Sequence, residues 1–349
     1  MLLETLPFDL PVQTVHLLFG ALLGLVFGVA AQISRFCLRR AVAGDDGVDP
    51  SALSVWIMAL GVAIGGVALA GGAGWIDVSG HRLMTAQVPV LAITLGGLAF
   101  GLGMALTRGC MSRLTVLGAS GNLRALTVIV IFAIVAHATI KGVLAPLRVA
   151  LGSVQLDFGL ASLASGPGVA PALALVLIAA AALLARRSGA RARDVALGAV
   201  IGLVAVAGWM GTSVALMDEF DPLPVQSVAF TLPWSDTLFY AIAGTAVPAG
   251  FGTGLIGGVV LGAFVSALLR GELALRSFES APQTLRYAAG AGLMGVGGVL
   301  AGGCTIGAGL SGSALLSVSA LIALLSIIVG AVAGRALLIG RGGLVARPA

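Results

Sequence analysis

Stretches of roughly 20 apolar residues recur along the whole chain, and each is long enough to cross a bilayer as one helix. They run at about Val15–Ile33, Ala52–Gly71, Pro89–Leu106, Leu123–Leu144, Val169–Ala185, Val195–Leu216, Leu238–Leu269, Tyr287–Gly302 and Ala320–Leu338. Of the 349 residues, 59% are hydrophobic and 9% charged, well outside the range of soluble proteins. The pattern predicts an all-α polytopic membrane protein, about nine transmembrane helices in a single membrane domain over 1–349, with no length left for a soluble catalytic domain. The net charge of +5 belongs to the flanks of spans, so no nucleic-acid partner is implied. Three cysteines are too few for a disulfide scaffold.

The stretch Leu238–Leu269 is too long for one untilted span and is interrupted at Pro248-Ala-Gly-Phe-Gly-Thr-Gly254, which predicts a broken or re-entrant helix. Ser235 or Asp236 would cap the helix that follows. Met1 to Leu10 lacks the basic region of a cleavable signal peptide, so the first span is expected to stay. Arginines gather at Arg35, Arg39 and Arg40; at Arg108, Arg113 and Arg124; at Arg186 to Arg193; at Arg270, Arg276 and Arg286; and at Arg335, Arg341 and Arg347. These clusters mark a cytoplasmic side. The connections near Asp77–Arg82, Asp157 and Asp218–Asp221 are acidic or poor in arginine. Nine crossings then give a multi-pass membrane protein with its N-terminus outside and its C-terminus cytoplasmic.

From Leu98, the run Leu-Ala-Phe-Gly-Leu-Gly-Met-Ala-Leu-Thr-Arg-Gly-Cys aligns without gaps on Gly292 onward, Gly-Leu-Met-Gly-Val-Gly-Gly-Val-Leu-Ala-Gly-Gly-Cys. The offset is 194 residues, and it carries Gly103 onto Gly297, Gly109 onto Gly303 and Cys110 onto Cys304. The spans entering the two cysteines run in opposite directions, which predicts inverted repeat halves, about 15–145 and 235–340, joined by the spans at 169–216. A pseudo-two-fold axis in the membrane plane would bring the two Gly-Cys turns together near the bilayer centre.

Each Gly-Cys pair opens a segment too short to cross, Met111 to Asn122 and Thr305 to Val318, as re-entrant half-helices do. The start of a half-helix offers unpaired N–H groups to an anion. Gly109 and Gly303 allow close approach of backbone and solute, while Arg108, and Arg35 near the third cysteine, add positive charge. The candidate pathway residues are Cys37, Cys110 and Cys304, supported by Arg35, Arg108, Gly109, Gly303 and Thr305. Thiols are polarizable, weak hydrogen-bonding groups suited to a soft sulfur anion that must be released again. The bland alternative is that each cysteine is a small apolar packing residue. A redox pair is disfavoured by the lack of Cys-x-x-Cys, and zinc by the scatter of His16, His81 and His137. No cofactor is implied. His137 and Lys141 share a face of the fourth span, as a proton relay would require.

Ser-Arg-Phe-Cys at Ser34–Cys37, Arg-Gly-Cys at Arg108–Cys110 and Leu-Ala-Gly-Gly-Cys-Thr-Ile-Gly-Ala-Gly-Leu-Ser-Gly at Leu300–Gly312 resemble the YeeE/YedE family of sulfur transport membrane proteins. Gly257–Arg276 also looks like the segment that precedes the last cysteine motif in that family. The resemblance implies an inner-membrane permease, not an enzyme, that takes up thiosulfate or a related sulfur anion across the lipid bilayer. It implies helices and re-entrant helices around a pseudo-two-fold axis, with Cys37, Cys110 and Cys304 handing the anion onward. Such proteins are often paired with a small cytoplasmic TusA-like sulfur carrier, and some are linked to selenium species instead. The chain departs from its own repeat at Met111-Ser-Arg113, where the second half has Thr-Ile-Gly. The rival of another class is a membrane thiol enzyme for disulfides or persulfides, with Cys110 and Cys304 as its pair.

Overall fold

The computed structural model describes residues 11–164, 166, 168–217 and 223–340. The expectations about Met1–Leu10, Asp218–Asp221, Arg341 and Arg347 lie outside the described residues. The helices are α1 (Val12–Ser34), α2 (Leu38–Ala43), α3 (Pro50–Gly72), α4 (Val90–Leu106), α5 (Met111–Ala119), α6 (Leu123–Lys141) and α7 (Ala145–Gly152). There follow α8 (Val169–Ser188), α9 (Ala192–Met210), α10 (Thr231–Ala243), α11 (Phe251–Leu269), α12 (Ala281–Leu300) and α13 (Val318–Gly340). Two π-helical turns, Gly211–Ala215 and Gly307–Gly312, follow α9 and precede α13. The only sheet among the described residues is the short pair β1 (Gln87–Val88) and β2 (Leu156–Asp157), which the apolar pattern did not foretell.

Among the described residues, eight helical stretches are long and apolar enough to cross a membrane. The ninth expected span is α12, 20 residues and so about 30 Å long. Gln283, Thr284, Arg286 and five glycines dilute its hydropathy. The expected break in Leu238–Leu269 falls between α10 and α11. Pro233 sits near the start of α10, so that helix begins upstream of Ser235 and Asp236. Neither is an N-cap; Ser235 instead hydrogen-bonds His137, at 3.1 Å.

Glycine decides which helices touch. On α1, Gly20, Gly24 and Gly28 meet Phe251, Leu255 and Val259 of α11, while Gly254, Gly258 and Gly262 of α11 meet Leu17, Ala21 and Leu25. Both sets advance by four residues together, so α1 and α11 run parallel with backbone against backbone, as glycine-lined helices do in membranes. The pair α4 and α12 is antiparallel: Gly103 approaches the carbonyl of Gly290, and Gly297 approaches that of Gly96. Adding 194 to 103 and to 96 gives 297 and 290, so one contact is the other turned about a two-fold axis. The remaining packing follows suit, with α3 on α9 as α11 is on α1, and α6 on α12 as α13 is on α4. The duplication is therefore inverted, with α4 and α12 crossing at its axis.

Candidate functional site

All three cysteines follow the same backbone turn. Each stands two residues after a left-handed residue that ends a helix: Arg35 (φ 53°) before Cys37, Arg108 (φ 58°) before Cys110 and Gly302 (φ 75°) before Cys304. At the first two, the next N–H reaches back five residues, Phe36 to Ala31 and Gly109 to Met104, each at 3.2 Å, which closes the helix end. Left-handed arginine costs about 1 kcal/mol or more, a local strain that a glycine avoids. The chain then turns into a new short helix, with Cys37 at the N-cap of α2 and Cys110 at that of α5. After Cys304 comes the π-helical turn, not the α-helical half-helix expected, with the N–H groups of Ala308 and Gly309 both bonded to the Cys304 carbonyl.

The structure brings Cys37 and Cys110 together, Sγ to Sγ at 3.8 Å. The Cys110 thiol also meets the Ser112 hydroxyl at 3.3 Å. Cys304 stands apart. Thr107 faces Gly290 while Ala301 faces Gly96, so the two Gly-Cys turns lie at opposite ends of the α4–α12 pair. The 11 residues between those levels span about 16 Å, which overturns the expectation that the axis gathers both turns at the centre. It also removes the Cys110–Cys304 pair that a redox enzyme would need. All three thiols are free and buried.

Beside Cys304 a cavity of about 720 Å³ opens at one end of the bundle, with Gly302, Gly303 and Gly307 in its floor. Arg82 and Arg148 give its wall positive charge, and Arg82 Nη2 donates to the Gly302 carbonyl at 3.0 Å. His81 stands with its ring edge-on to Trp209. Burial, helped by the Arg82 charge, pushes the His81 imidazole down to about 4, so it is neutral at pH 7. The opposite end is knitted by charge: Arg39 pairs with Asp45, Arg40 Nε with Asp49 at 2.8 Å, and Arg124 with Glu279. Arg39 also donates to the carbonyl of Arg108, which ties the turn before Cys110 to that end.

A family model described as sulphur transport matches residues 27–333, a range that holds all three cysteine turns and the cavity. The chain belongs to the sulphur transport family. It is 27% identical over 311 residues to the thiosulfate transporter TsuA of Spirochaeta thermophila, covering 82% of this chain and 88% of that one. To the thiosulfate transporter TsuA of Escherichia coli K12 it is 33% identical over 108 residues, 31% of this chain and 28% of that one.

Four side chains of this family member leave a polar atom unpaired around the thiols and the cavity. Buried polar atoms lack a partner at Arg113 Nη1, close to Cys37 and Cys110, at Thr305 Oγ1, next to Cys304 in sequence, and at Trp56 Nε1, whose ring packs on Gly309. Thr231 Oγ1, on the cavity wall, is another. Thr305 and Arg113 adjoin the cysteine motifs and are legible in the sequence, whereas Trp56 and Thr231 are distant from them in sequence and carry no local signal. His137 is stacked on Phe239, ring centroids 3.5 Å apart, besides its bond to Ser235. Among the described residues no three His, Cys, Asp or Glu side chains gather as a metal site.

Proposed function

We propose that this protein is an inner-membrane permease that takes up thiosulfate, or a closely related sulfur oxyanion, past Cys304 and then Cys110 and Cys37. The observation that carries the reading is a run of three buried thiols, one under the cavity floor and two at the arginine-rich end, each set on a helix-ending turn. Family membership and the names of its relatives favour the same solute class.

The arginine-rich end is the cytoplasmic one by the positive-inside rule, which puts the cavity outside, the N-terminus outside and the C-terminus in the cytoplasm. Packing of α9 on α3 in the manner of α11 on α1 favours repeat halves of α1–α6 and α9–α13, so that α9 belongs to the second half rather than to a joining segment. Arg82 and Arg148 draw the anion into the cavity. The floor of Gly302 and Gly303 carries no side chain to keep it from Cys304. A thiol then donates weakly to the sulfane sulfur or an oxygen. Near the arginine-rich end, the paired thiols and Arg113 take the anion over, with the N-termini of α2 and α5 favouring its charge. Weak, sequential contacts let it leave again, and no covalent bond forms, so the protein carries out no reaction. A small cytoplasmic sulfur carrier of the TusA type would collect the solute at the arginine-rich face.

The test is radiolabelled thiosulfate uptake into proteoliposomes, with sulfate and selenite as competitors. Saturable uptake, lost in Cys304→Ala without loss of fold, is expected. Normal uptake by a variant lacking all three cysteines would overturn the reading.

A further inference from the structure

Two tryptophans from different helices, Trp234 of α10 and Trp56 of α3, pack on the segments that follow Cys110 and Cys304, one with its indole N–H bonded and one without. On one side of the axis Trp234 Nε1 donates to Thr115 Oγ1 at 2.8 Å, so its indole N–H is satisfied. The residue 194 positions on from Thr115 is Gly309, and there the indole of Trp56 packs, with Cζ2 3.8 Å from where a Cβ would stand. Glycine has no hydroxyl, and Trp56 Nε1 is buried without a partner although the residue is only 4% exposed. A buried donor with nothing to donate to is disfavoured, and native structures keep few of them. Gly309 is itself bonded through its N–H to the carbonyl of Cys304, at 3.2 Å, so the orphan indole edges the same turn as the third thiol. Next to Cys304 in sequence, Thr305 Oγ1 is a second unpartnered polar atom, on a fully buried residue.

We infer that Trp56 donates its indole N–H to an oxygen of the passing sulfur oxyanion beside Cys304, and that this contact makes the pathway selective for oxygen-bearing sulfur anions. The inference rests on the permease reading. It assigns to the thiol the soft sulfur end of the solute and to Trp56, with Thr305, the hard oxygen end. An anion reaching Cys304 would supply the acceptor that Thr115 supplies to Trp234, and glycine at 309 leaves the N–H free for it.

The experiment compares thiosulfate uptake by wild type, Cys304→Ala, Trp56→Phe, Gly309→Ser and Trp234→Phe in proteoliposomes, with Tm measured on each. Trp56→Phe keeps the aromatic body and removes only the donor. Gly309→Ser places a hydroxyl where Thr115 has one; its Cβ would stand 3.1 Å from the flexible end of Leu324, which can yield, and 4.0 Å from the Cys304 carbonyl. Both changes are expected to raise the KM for thiosulfate about tenfold or more, the loss of one hydrogen bond to a charged acceptor. Gly309→Ser should do so with an unchanged or higher Tm, because it satisfies the orphan from within. Trp234→Phe should lower Tm and leave KM within about twofold, since its N–H is already spoken for. Wild-type KM in both Trp56→Phe and Gly309→Ser, with Cys304→Ala inactive, overturns the inference and leaves the permease standing. A wild type that moves no thiosulfate overturns both.

Discussion

The crossing of α4 and α12 holds both Gly-Cys turns, so adding one methyl group there tests the architecture. A Cβ on Gly103 would stand 2.5 Å from the Gly290 carbonyl oxygen and 2.9 Å from the Met294 amide, where ordinary contact begins at 3.4 Å. The obstacle is backbone, so α12 must retreat by roughly 0.9 Å rather than a side chain swing aside. A gap of that size forfeits a quarter to a half of each dispersion contact across the crossing, about 0.5 kcal/mol over roughly ten contacts. Overpacking strain adds roughly 1–3 kcal/mol, for a total of about 2–3 kcal/mol. Gly297→Ala is the two-fold counterpart, meeting the Phe100 amide at 2.5 Å and the Gly96 carbonyl at 2.6 Å, and should behave alike. Because both push the same helices apart, the double variant should fall short of additivity. Gly292→Ala, on the same helix with nothing within 4 Å, is the control and should be neutral or slightly stabilising. Unfolding in detergent can be followed with a thiol-reactive fluorophore, since all three cysteines are buried in the folded protein. Gly103→Ala and Gly297→Ala should each lower Tm by roughly 3–4 °C. Tm values equal to that of Gly292→Ala would refute the crossing and the two-fold relation drawn from it.

Cys37 and Cys110, with sulfurs 3.8 Å apart, should form a disulfide under a membrane-permeant oxidant, each thiol giving up one proton and one electron; a mass loss of two hydrogens, with uptake blocked and then restored by reductant, is expected. Cys304 should stay out of that bond, and a Cys110–Cys304 link in peptide mapping would contradict the geometry. Because burial holds His81 below its unfolded value of about 6.5, the stability it contributes is complete above that pH and is lost as pH falls towards about 4. Uptake should accordingly show no inflection between pH 5 and 8 that His81→Gln abolishes. Asp49 caps α3 by accepting from the N–H groups of Ser51 and Ala52, at 3.0 and 3.1 Å, and pairs with Arg40. Asp49→Ala should lower stability by about 1–2 kcal/mol in denaturant titrations without altering the KM for the solute.

The sequence alone determined that the chain lies in a bilayer, roughly where it crosses, that one span is broken near Pro248 and that Gly-Cys recurs in opposed halves. Those are local properties: hydropathy over 20 residues, a helix-breaking cluster and a short repeat can be read without knowing any neighbour. Tertiary structure decided the rest. Cys37 and Cys110 are 73 residues apart and touch, whereas Cys110 and Cys304, matched in sequence, are held apart because an antiparallel crossing puts equivalent residues at opposite ends. The satisfied indole of Trp234 and the orphan indole of Trp56 differ by what stands across from each, a hydroxyl or a glycine. Whether a buried donor has a partner depends on residues from another helix, brought within reach only by packing, so no window along the chain contains the answer.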